Sequence, residues 1–269
     1  MEFSSILYGV SEGIATITLN NPSKLNPLSH SIPLEMREAL AQIRSDTSVR
    51  ALTITGAGKA FCVGADLGAM GSTPGEGRSR GNLVADNMHE TSNRVIADLR
   101  ELPVPVVSVV NGPAAAAGVG IALAADVVIA ARSAYFYLPF MAKLGIVPDL
   151  GTTWFLSRFV GRARALGLTL LGDKLSAEQA AAWGLIWSCV EDAELASQGR
   201  SIARRLADLP AHAALETRSV YDAAQTNDLN AQLAFEAERQ RELLERDSFV
   251  EGARAFMEKR APAFTPRGQ

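Results

Sequence analysis

Residues 61–67 of this 269-residue sequence read FCVGADL, and residues 111–118 read NGPAAAAG. Both segments are rich in small residues and follow strand-like runs, and the second precedes a predicted helix. Small side chains let a ligand approach the backbone N–H groups, and a helix N-terminus adds positive potential there. Two such loops facing each other would form an oxyanion hole for a thioester carbonyl. The same pattern is typical of tight turns with close strand–helix packing, and the residues alone leave both interpretations open.

Strand-like and helical patterns alternate around these segments. The chain beyond residue 162 is rich in Ala, Leu, Glu and Arg at helical spacing. We expect an α/β core over residues 1–200 and a helical region over residues 201–269 that docks against another subunit. A glycine-rich stretch, residues 67–82, predicts a mobile surface loop. The predicted strands of the first half include 14–19, 49–55, 106–110 and 124–131, and its predicted helices include 30–44 and 87–102.

Composition and charge exclude several classes of protein. Apolar residues make up 48% of the chain and charged residues 20%, which is typical of a globular protein. A net charge of −3 provides no basic field for DNA or RNA, so we expect no nucleic-acid partner. The two cysteines and three histidines form no metal-binding pattern, which predicts free thiols and no metal site. With no signal peptide or membrane-spanning run apparent, we expect a soluble, cytoplasmic protein without a membrane partner.

Sequence patterns of three common enzyme classes are missing. Residues 56–61 (GAGKAF) begin like a dinucleotide-binding loop but carry phenylalanine where the third glycine belongs. The sequence contains neither a GxxxxGK(S/T) phosphate loop nor a GxSxG nucleophile elbow. The absence of these three patterns disfavours nucleotide-dependent enzymes and serine hydrolases.

The first segment also carries a family resemblance. FCVGADL at residues 61–67 resembles the FCxGxDL signature of the crotonase, or enoyl-CoA hydratase/isomerase, superfamily; LNNP at residues 19–22 resembles its LNxP, and NG at residues 111–112 its NG turn. The resemblance implies the crotonase (ClpP-like) ββα spiral fold with a C-terminal helical trimerisation region. It implies an acyl-CoA thioester substrate, with coenzyme A part of the substrate and no separate cofactor. It also implies that the backbone N–H groups of Ala65 and Ala117 form the oxyanion hole.

The resemblance bears on the branch of the superfamily as well. Hydratases of the family resemble one another in using two glutamates, and the corresponding positions here hold Gly120 and Phe140. Adding water to a double bond needs one group that activates the water and a matched proton donor. Asp66 is interpreted as shaping its turn and Asp126 as structural, so neither replaces a missing glutamate. The sequence therefore disfavours hydration.

One acid, Asp149, remains as the candidate catalytic group. Residues 144–154 (LGIVPDLGTTW) resemble the GL(I/V)PDxGxTW segment of the phenylacetate-pathway isomerases that handle ring-1,2-epoxyphenylacetyl-CoA, and parts of residues 161–187 resemble the same subgroup. In that subgroup, and in Δ3,Δ2-enoyl-CoA isomerases, one carboxylate in this loop moves a proton between carbons while the oxyanion hole holds the dienolate. The alternative is that Asp149 merely caps the helix predicted at residues 151–159.

The resemblance implies three groups of coenzyme A contacts. They are a loop whose cation can meet the ribose 3′-phosphate, the adenine and pantetheine path, and a C-terminal F-x-E-K-R pattern: Lys24, Leu25 and Asn26; Ala65, Asp66 and Leu67; Phe256 and Lys259. A single lysine of this kind is otherwise an ordinary solvated charge. A further set could shape an acyl pocket or form ordinary core: Phe136, Tyr137, Phe140, Met141 and Trp154.

These observations predict an acyl-CoA isomerase that shifts the double bond of an enoyl-CoA or rearranges ring-1,2-epoxyphenylacetyl-CoA. Asp149 is the expected acid/base, and a homotrimer or a hexamer of two trimers is the expected assembly. The alternatives are an enoyl-CoA hydratase, which Gly120 and Phe140 disfavour, and a non-catalytic acyl-CoA-binding subunit.

Overall fold

The computed structural model describes residues 3–66 and 79–267. Strands of these residues form a larger and a smaller sheet. The strands are β1 (Ile6–Ser11), β2 (Ile14–Leu19), β3 (Ala51–Gly56), β4 (Val106–Val110), β5 (Ala114–Ala115), β6 (Val127–Ala131), β7 (Tyr135–Tyr137), β8 (Lys174–Ser176) and β9 (Ser188–Val190). The larger sheet has the order β1-β2-β3-β4-β6-β9, and the smaller one the order β5-β7-β8.

Helices cover the sheets and make up the C-terminal part of the chain. Two single π-helical turns, Met88–Ser92 and Phe140–Leu144, interrupt the regular elements. The α-helices of the described residues are α1 (Ser31–Ser45), α2 (Arg80–Asn87), α3 (Asn93–Arg100), α4 (Ala117–Leu123), α5 (Thr152–Phe159), α6 (Gly161–Leu171), α7 (Ala177–Ala182), α8 (Leu195–Ala207), α9 (Ala213–Ala223), α10 (Leu229–Leu244) and α11 (Asp247–Met257). The mixed α/β class with a C-terminal helical region is as predicted.

The larger sheet is parallel except at one edge, where β1 and β2 form an antiparallel pair. Every residue of β4 (VVSVV) is buried, as expected for a central parallel strand covered on both faces. In β2 (IATITL), fully and partly buried residues alternate, which matches the period of two of a strand. The strand predicted at residues 124–131 begins only at Val127, because the preceding alanines belong to α4 and its C-terminal end.

The helix predicted at residues 87–102 differs most from the prediction. It is present as a longer run, in which α2 and α3 flank the π-turn Met88–Ser92. The Oγ of Ser79 accepts the N–H of Asn82 at 3.1 Å and caps α2, so the last residues of the predicted loop 67–82 are helical. Residues 67–78 of that predicted loop lie outside the described residues.

A buried arginine ties the C-terminal helices to the sheet. Arg218 on α9 forms a two-pronged ion pair with Asp126, with distances of 2.6 and 2.7 Å. Its guanidinium also donates to the carbonyls of Leu102 and Val104, and Asp126 accepts the N–H of Val106. Such a charge is tolerated inside a protein when its hydrogen bonds are satisfied. The structural interpretation of Asp126 is confirmed.

In the described part of the chain, no helix is both long and apolar enough to cross a membrane. Both cysteines there are free, with Cys62 buried and Cys189 partly buried, as predicted.

Candidate active site

The two segments rich in small residues lie side by side at one edge of the larger sheet. They follow β3 and β4, which are neighbouring parallel strands and so end at the same edge. The N–H of Ala115 donates to the carbonyl of Cys62 at 2.8 Å, and the N–H of Cys62 donates to the carbonyl of Pro113 at 3.2 Å. The structure therefore brings the two loops into direct contact.

Two asparagines hold the turn that precedes the first loop. The Oδ1 of Asn111 accepts the N–H of Gly56, and its Nδ2 donates to the carbonyl of Gly58, both at 3.0 Å. Asn26 is fully buried, and its Nδ2 donates to the carbonyl of Ala60 at 2.8 Å. The Asn26 side chain, predicted as part of a coenzyme A loop, is thus occupied in fixing the backbone and is turned away from solvent.

Glycine at position 64 allows the closest approach between the loops. Gly64 has φ +86°, and a Cβ there would lie 2.6 Å from the Cβ of Ala116 and 3.3 Å from the amide nitrogen of Ala117. Ala116 itself has φ +48°, a conformation that costs a non-glycine residue free energy. A side chain at residue 64 would therefore separate the backbone of residues 64–65 from that of residues 116–117.

The amides of Ala65 and Ala117 are available to a ligand. Ala117 is the first residue of α4, and N–H groups in the first turn of a helix have no partner within it. Within residues 3–66 and 79–267, neither the Ala65 N–H nor the Ala117 N–H donates a hydrogen bond to a protein atom. Both residues line one cavity, so the backbone offers it two unpaired donors.

That cavity has a volume of about 300 Å³ and also contains Asp66 and Asp149 in its lining. Four of the predicted site residues are thus brought together: the catalytic candidates Ala65, Ala117 and Asp149, and the coenzyme A candidate Asp66. Its remaining walls are mainly apolar, as is usual for small-molecule sites. The apolar lining comes from Leu28, Pro33, Leu83, Val84, Met88 and Leu150.

Asp149 is not the cap of the following helix. The residue at the N-cap of α5 is Gly151, and no side chain caps this end. Asp149 takes part in the turn only through its backbone carbonyl, which accepts the N–H of Thr152 at 2.9 Å. Its carboxylate Oδ1 is buried and has no hydrogen-bond partner in the described structure. The capping interpretation of the Asp149 side chain is therefore wrong.

Burial changes the acidity of two groups at the site. It raises the pKa of Asp149 from 3.8 to about 6, because an ionised carboxylate is poorly solvated there. It also raises the pKa of Cys62 to about 12, with the nearby Asp149 adding to the effect. At neutral pH the Cys62 thiol stays protonated. Asp149 is ionised at that pH, and its pKa is close enough to neutral that the carboxyl group can both accept and return a proton.

Residues 120 and 140, which correspond to the two glutamates of the hydratases, provide no carboxylate here. A Cβ on Gly120 would lie 2.4 Å from the carbonyl oxygen of Leu150 and 3.1 Å from the Oγ1 of Thr152. Phe140 is 2% exposed and belongs to the core. The Asp149–Leu150 backbone therefore occupies the space that a side chain at residue 120 would need.

One of the predicted coenzyme A residues bridges two loops. The Nζ of Lys24 lies 3.6 Å from the Oδ2 of Asp66, and the lysine side chain is 64% exposed. Leu25 is exposed in a left-handed turn beside it. This puts Lys24 and Leu25 on the Asp66 side of the cavity, while Leu67 lies outside the described residues.

The C-terminal pair is placed differently. Phe256 is 86% exposed near the end of α11, and Lys259 is exposed just after it, at φ +55°. The described lining of the cavity includes neither residue. Within a single chain, the structure does not bring Phe256 and Lys259 to the site.

The predicted aromatic set does not line the cavity either. Phe136 and Phe140 are each 2% exposed and belong to the core, so the core interpretation of these two is confirmed. Trp154 packs edge-on against Phe155 and under the guanidinium of Arg158 at 4.0 Å. The apolar lining of the cavity comes from the aliphatic side chains named above instead.

Sequence reasoning missed five polar residues of the cavity lining: Ser29, His30, Arg80, Asn87 and Ser92. They lie on α1's N-terminal flank and on the α2–π-turn segment, and no short pattern connects them. The irregular helix from Arg80 to Arg100 brings the last two together.

Known proteins resemble this chain over nearly its full length. The family profile described as Enoyl-CoA hydratase/isomerase matches residues 9–267. The chain is 42% identical over 265 residues to 1,2-epoxyphenylacetyl-CoA isomerase of Escherichia coli (strain K12), covering 98% of this chain and 99% of that one. It is 42% identical to a protein of Rhodobacter capsulatus named as a probable enoyl-CoA hydratase, covering 99% and 100%. An enoyl-CoA hydratase structure from Polaromonas sp. JS666 superposes with a TM-score of 0.90 at 29% identity, covering 97% and 100%.

The chain therefore belongs to the enoyl-CoA hydratase/isomerase family and has the crotonase fold. Members of this family are enzymes that act on acyl-CoA thioesters. The two relatives are named for an isomerase and a hydratase activity, respectively.

Proposed function

We propose that this protein is an acyl-CoA isomerase in which Asp149 moves one proton and the amides of Ala65 and Ala117 hold the enolate oxygen. The observation that carries the proposal is one half-buried carboxylate, with an unpartnered Oδ1, in the same cavity as two unpaired amides. Asp66, another carboxylate of that cavity's described lining, is paired with Lys24. Asp149 is thus the acid best suited to proton transfer.

In the first half of the proposed reaction, the thioester carbonyl accepts hydrogen bonds from Ala65 and Ala117. These bonds lower the pKa of the α-proton, because the negative charge of the enolate develops on that oxygen. The Asp149 carboxylate removes the proton from Cα and becomes neutral. Loss of one donor in such sites typically costs about 3–4 kcal/mol of transition-state stabilisation.

In the second half, the same carboxyl group returns the proton to Cγ. The electron pair of the dienolate forms the Cα–Cβ double bond, the thioester carbonyl is restored, and Asp149 is an anion again. A pKa near 6 suits both steps, because the group is ionised at neutral pH and still releases its proton readily. No separate cofactor is needed, since coenzyme A is part of the substrate.

Hydration is disfavoured on steric grounds as well as chemical ones. A water nucleophile needs a base, and the return of a proton to Cα needs an acid. A side chain at residue 120 would collide with Leu150, and residue 140 is a buried phenylalanine. Asp149 can transfer one proton, and Asp66, the other carboxylate of the described lining, is paired with Lys24.

Two substrate types fit this machinery: a linear 3-enoyl-CoA and ring-1,2-epoxyphenylacetyl-CoA. The second is supported by the 42% identity to an isomerase named for that compound. The resemblance of residues 144–154 to the corresponding isomerase segment supports it too. We place phenylacetate catabolism ahead of fatty acid metabolism on these two grounds.

The coenzyme A moiety is proposed to lie along Lys24, Leu25 and Asp66. Lys24 is exposed and can reach the 3′-phosphate of the ribose, while its contact with Asp66 keeps it near the cavity. Phe256 and Lys259 can contribute only from a neighbouring subunit or after a movement of α11.

We further propose a homotrimer, or a hexamer of two trimers. Helix α10 has no buried residue, although it carries several leucines, and Phe256 and Met257 are exposed at the end of α11. Such apolar surface is typical of a subunit interface. Light scattering coupled to size-exclusion chromatography should give three or six times the 28.6 kDa chain mass, and a monomer would contradict the proposal.

The test of the activity uses wild type, Asp149→Asn and the control Asp173→Asn, an exposed acid outside the cavity. Each is given a 3-enoyl-CoA and a 2-enoyl-CoA, and double-bond migration and hydration are followed separately. We expect migration in wild type and control, loss of migration in Asp149→Asn, and negligible hydration throughout. Ring-1,2-epoxyphenylacetyl-CoA is then tested with the same three proteins.

Two results would contradict the proposal. Robust hydration that survives in Asp149→Asn would mean that another group handles water. Unchanged binding of acyl-CoA in Asp149→Ala, together with no turnover of any of the three substrates by wild type, would favour a non-catalytic acyl-CoA-binding subunit.

A further inference from the structure

The cavity carries a second set of polar groups that the proton transfer does not use. The Oγ of Ser92 donates to the Oδ1 of Asn87 at 3.3 Å, and the Nδ2 of Asn87 donates to the Nδ1 of His30 at 3.3 Å. All three residues line the cavity that contains Asp149. They form a chain of hydrogen bonds with one direction, from the Ser92 hydroxyl to the His30 ring.

The π-helical turn creates this chain. In an α-helix, residues three and four apart are neighbours, whereas residues five apart are not. Here the N–H of Asn93 donates to the carbonyl of Met88, five residues earlier, and the turn Met88–Ser92 is wider than an α-helical one. Ser92 is therefore stacked near Asn87, and the bond between them exists because of the inserted turn. Such turns occur frequently at functional sites.

The direction of the chain fixes what it offers to a ligand. When the Nδ1 of a neutral histidine accepts a hydrogen bond, the ring proton is on Nε2. His30, an exposed residue of the cavity lining, then carries an N–H donor on Nε2, and Asn87 keeps a second Nδ2 hydrogen. Both donors require an acceptor such as oxygen.

Leu83, Val84 and Met88 add apolar side chains to this wall, and Ser29 and Arg80 also line the cavity. A hydrocarbon acyl chain that covered the donors would take them out of water without replacing their hydrogen bonds, which is unfavourable. An acyl group with an oxygen atom next to these donors would instead accept hydrogen bonds from His30 and Asn87. The cavity thus discriminates between acyl groups by their polarity as well as by their size.

We propose that His30, Asn87 and Ser92 form a positioning relay that binds a neutral oxygen substituent on the acyl group, such as an epoxide, ether or hydroxyl oxygen. This inference rests on the proposed acyl-CoA isomerase and specifies its substrate class as oxygen-bearing acyl groups. His30 and Asn87 contact the substituent, and Ser92 acts through Asn87 by fixing the orientation of its amide.

The first test measures binding alone, so that it does not depend on turnover. The probes are 2-hydroxyphenylacetyl-CoA and phenylacetyl-CoA, which differ by one oxygen, and their Kd values are measured by calorimetry. We expect wild type to prefer the hydroxylated probe by about five- to tenfold, the range of one or two neutral hydrogen bonds. Asn87→Leu, which keeps the side-chain size, should reduce that preference to less than about twofold.

The matched control is Asn82→Leu, the same change on the exposed face of α2 outside the described lining of the cavity. Asn82→Leu should keep the wild-type preference for the hydroxylated probe. His30→Leu should lose that preference. The double variant His30→Leu/Asn87→Leu should lose no more of it than either single variant, because the effects of substitutions within one network are not additive. If Asn87→Leu does not fold, Ser92→Ala provides the smaller change, with an expected loss of about half the preference.

A kinetic comparison separates a positioning role from a merely structural one. With ring-1,2-epoxyphenylacetyl-CoA, Asn87→Leu should raise KM by about fivefold or more. With a linear 3-enoyl-CoA its KM should fall, because leucine removes a donor that a hydrocarbon chain leaves without a partner, so the ratio of the two kcat/KM values should shift toward the linear substrate. Equal losses on both substrates, or no preference between the probes in wild type, would overturn the relay. If wild type prefers the hydroxylated probe but turns over no substrate, the relay stands and the isomerase proposal fails.

Discussion

Replacing Gly120 by alanine tests the packing that positions Asp149. The added Cβ would lie 2.4 Å from the carbonyl oxygen of Leu150, whereas ordinary contacts begin at 3.4 Å, so this backbone must move by about 1 Å. Because Leu150 follows Asp149 directly, the carboxylate moves with it. A misplacement of about 1 Å at a reacting group can cost about 100-fold in rate.

The same substitution should also destabilise the fold. Overpacking costs about 1–3 kcal/mol, and the higher helix propensity of alanine returns about 1 kcal/mol of it. Gly167 in α6 is the matched control, because a Cβ there meets nothing within 4 Å. Gly167→Ala should be neutral or stabilising by up to about 1 kcal/mol and fully active.

The assays are urea unfolding at pH 8 and the rate of double-bond migration at saturating 3-enoyl-CoA. We expect Gly120→Ala to unfold at lower urea and to lose about 100-fold in kcat, with a smaller change in KM. Full activity and unchanged stability of Gly120→Ala would refute the close packing between α4 and the Asp149 segment, and with it the steric argument against hydration.

Three further predictions concern stability, pH and coenzyme A. Because the folded-state pKa of Asp149 is raised from 3.8 to about 6, its ionisation lowers the free energy of unfolding as the pH rises from about 4 through 6. Asp149→Asn should therefore exceed wild type by about 3 kcal/mol in unfolding free energy at pH 8 and by almost nothing at pH 3.5, and an equal gap at both pH values would contradict the buried charge. Arg218→Met leaves Asp126 unpaired and should cost about 3–5 kcal/mol by urea unfolding, whereas Arg204→Met, on the exposed surface, should cost less than about 1 kcal/mol; similar losses would refute the anchoring role. Lys24→Ala should raise KM by about three- to tenfold for a CoA thioester but not for the dephospho-CoA thioester, and an equal rise with both would exclude a contact to the 3′-phosphate.

The sequence predicted those strands and site residues that leave a signal in a short stretch of residues. The strands predicted at residues 14–19 and 106–110 are present as β2 and β4, because their β-branched and apolar residues are a local signal of a buried strand. The resemblance of residues 61–67, 111–112 and 144–154 to the family's motifs selected three residues, Ala65, Ala117 and Asp149, that the structure brings into one cavity.

Features that depend on packing between distant segments were not accessible. Whether Asp149 caps a helix or faces a cavity depends on the φ of +72° at Gly151 and on burial against α4, which no local pattern records. Asn26 is predicted as part of a coenzyme A loop, yet it is fully buried and its Nδ2 donates to the carbonyls of Ala57 and Ala60. The relay from Ser92 to His30 needs a π-turn, whereas a helical period of 3.6 places residues five apart on different faces.

The most direct test of the account follows one proton from carbon to carbon. A 3-enoyl-CoA carrying deuterium at both C2 positions is converted in a single turnover, and the product is examined for deuterium at C4 by mass spectrometry and NMR. The account predicts deuterium at C4 with wild type and no conversion with Asp149→Asn, because one buried carboxylate both removes and returns the proton. Conversion that persists in Asp149→Asn, or a product without deuterium at C4, would contradict the account.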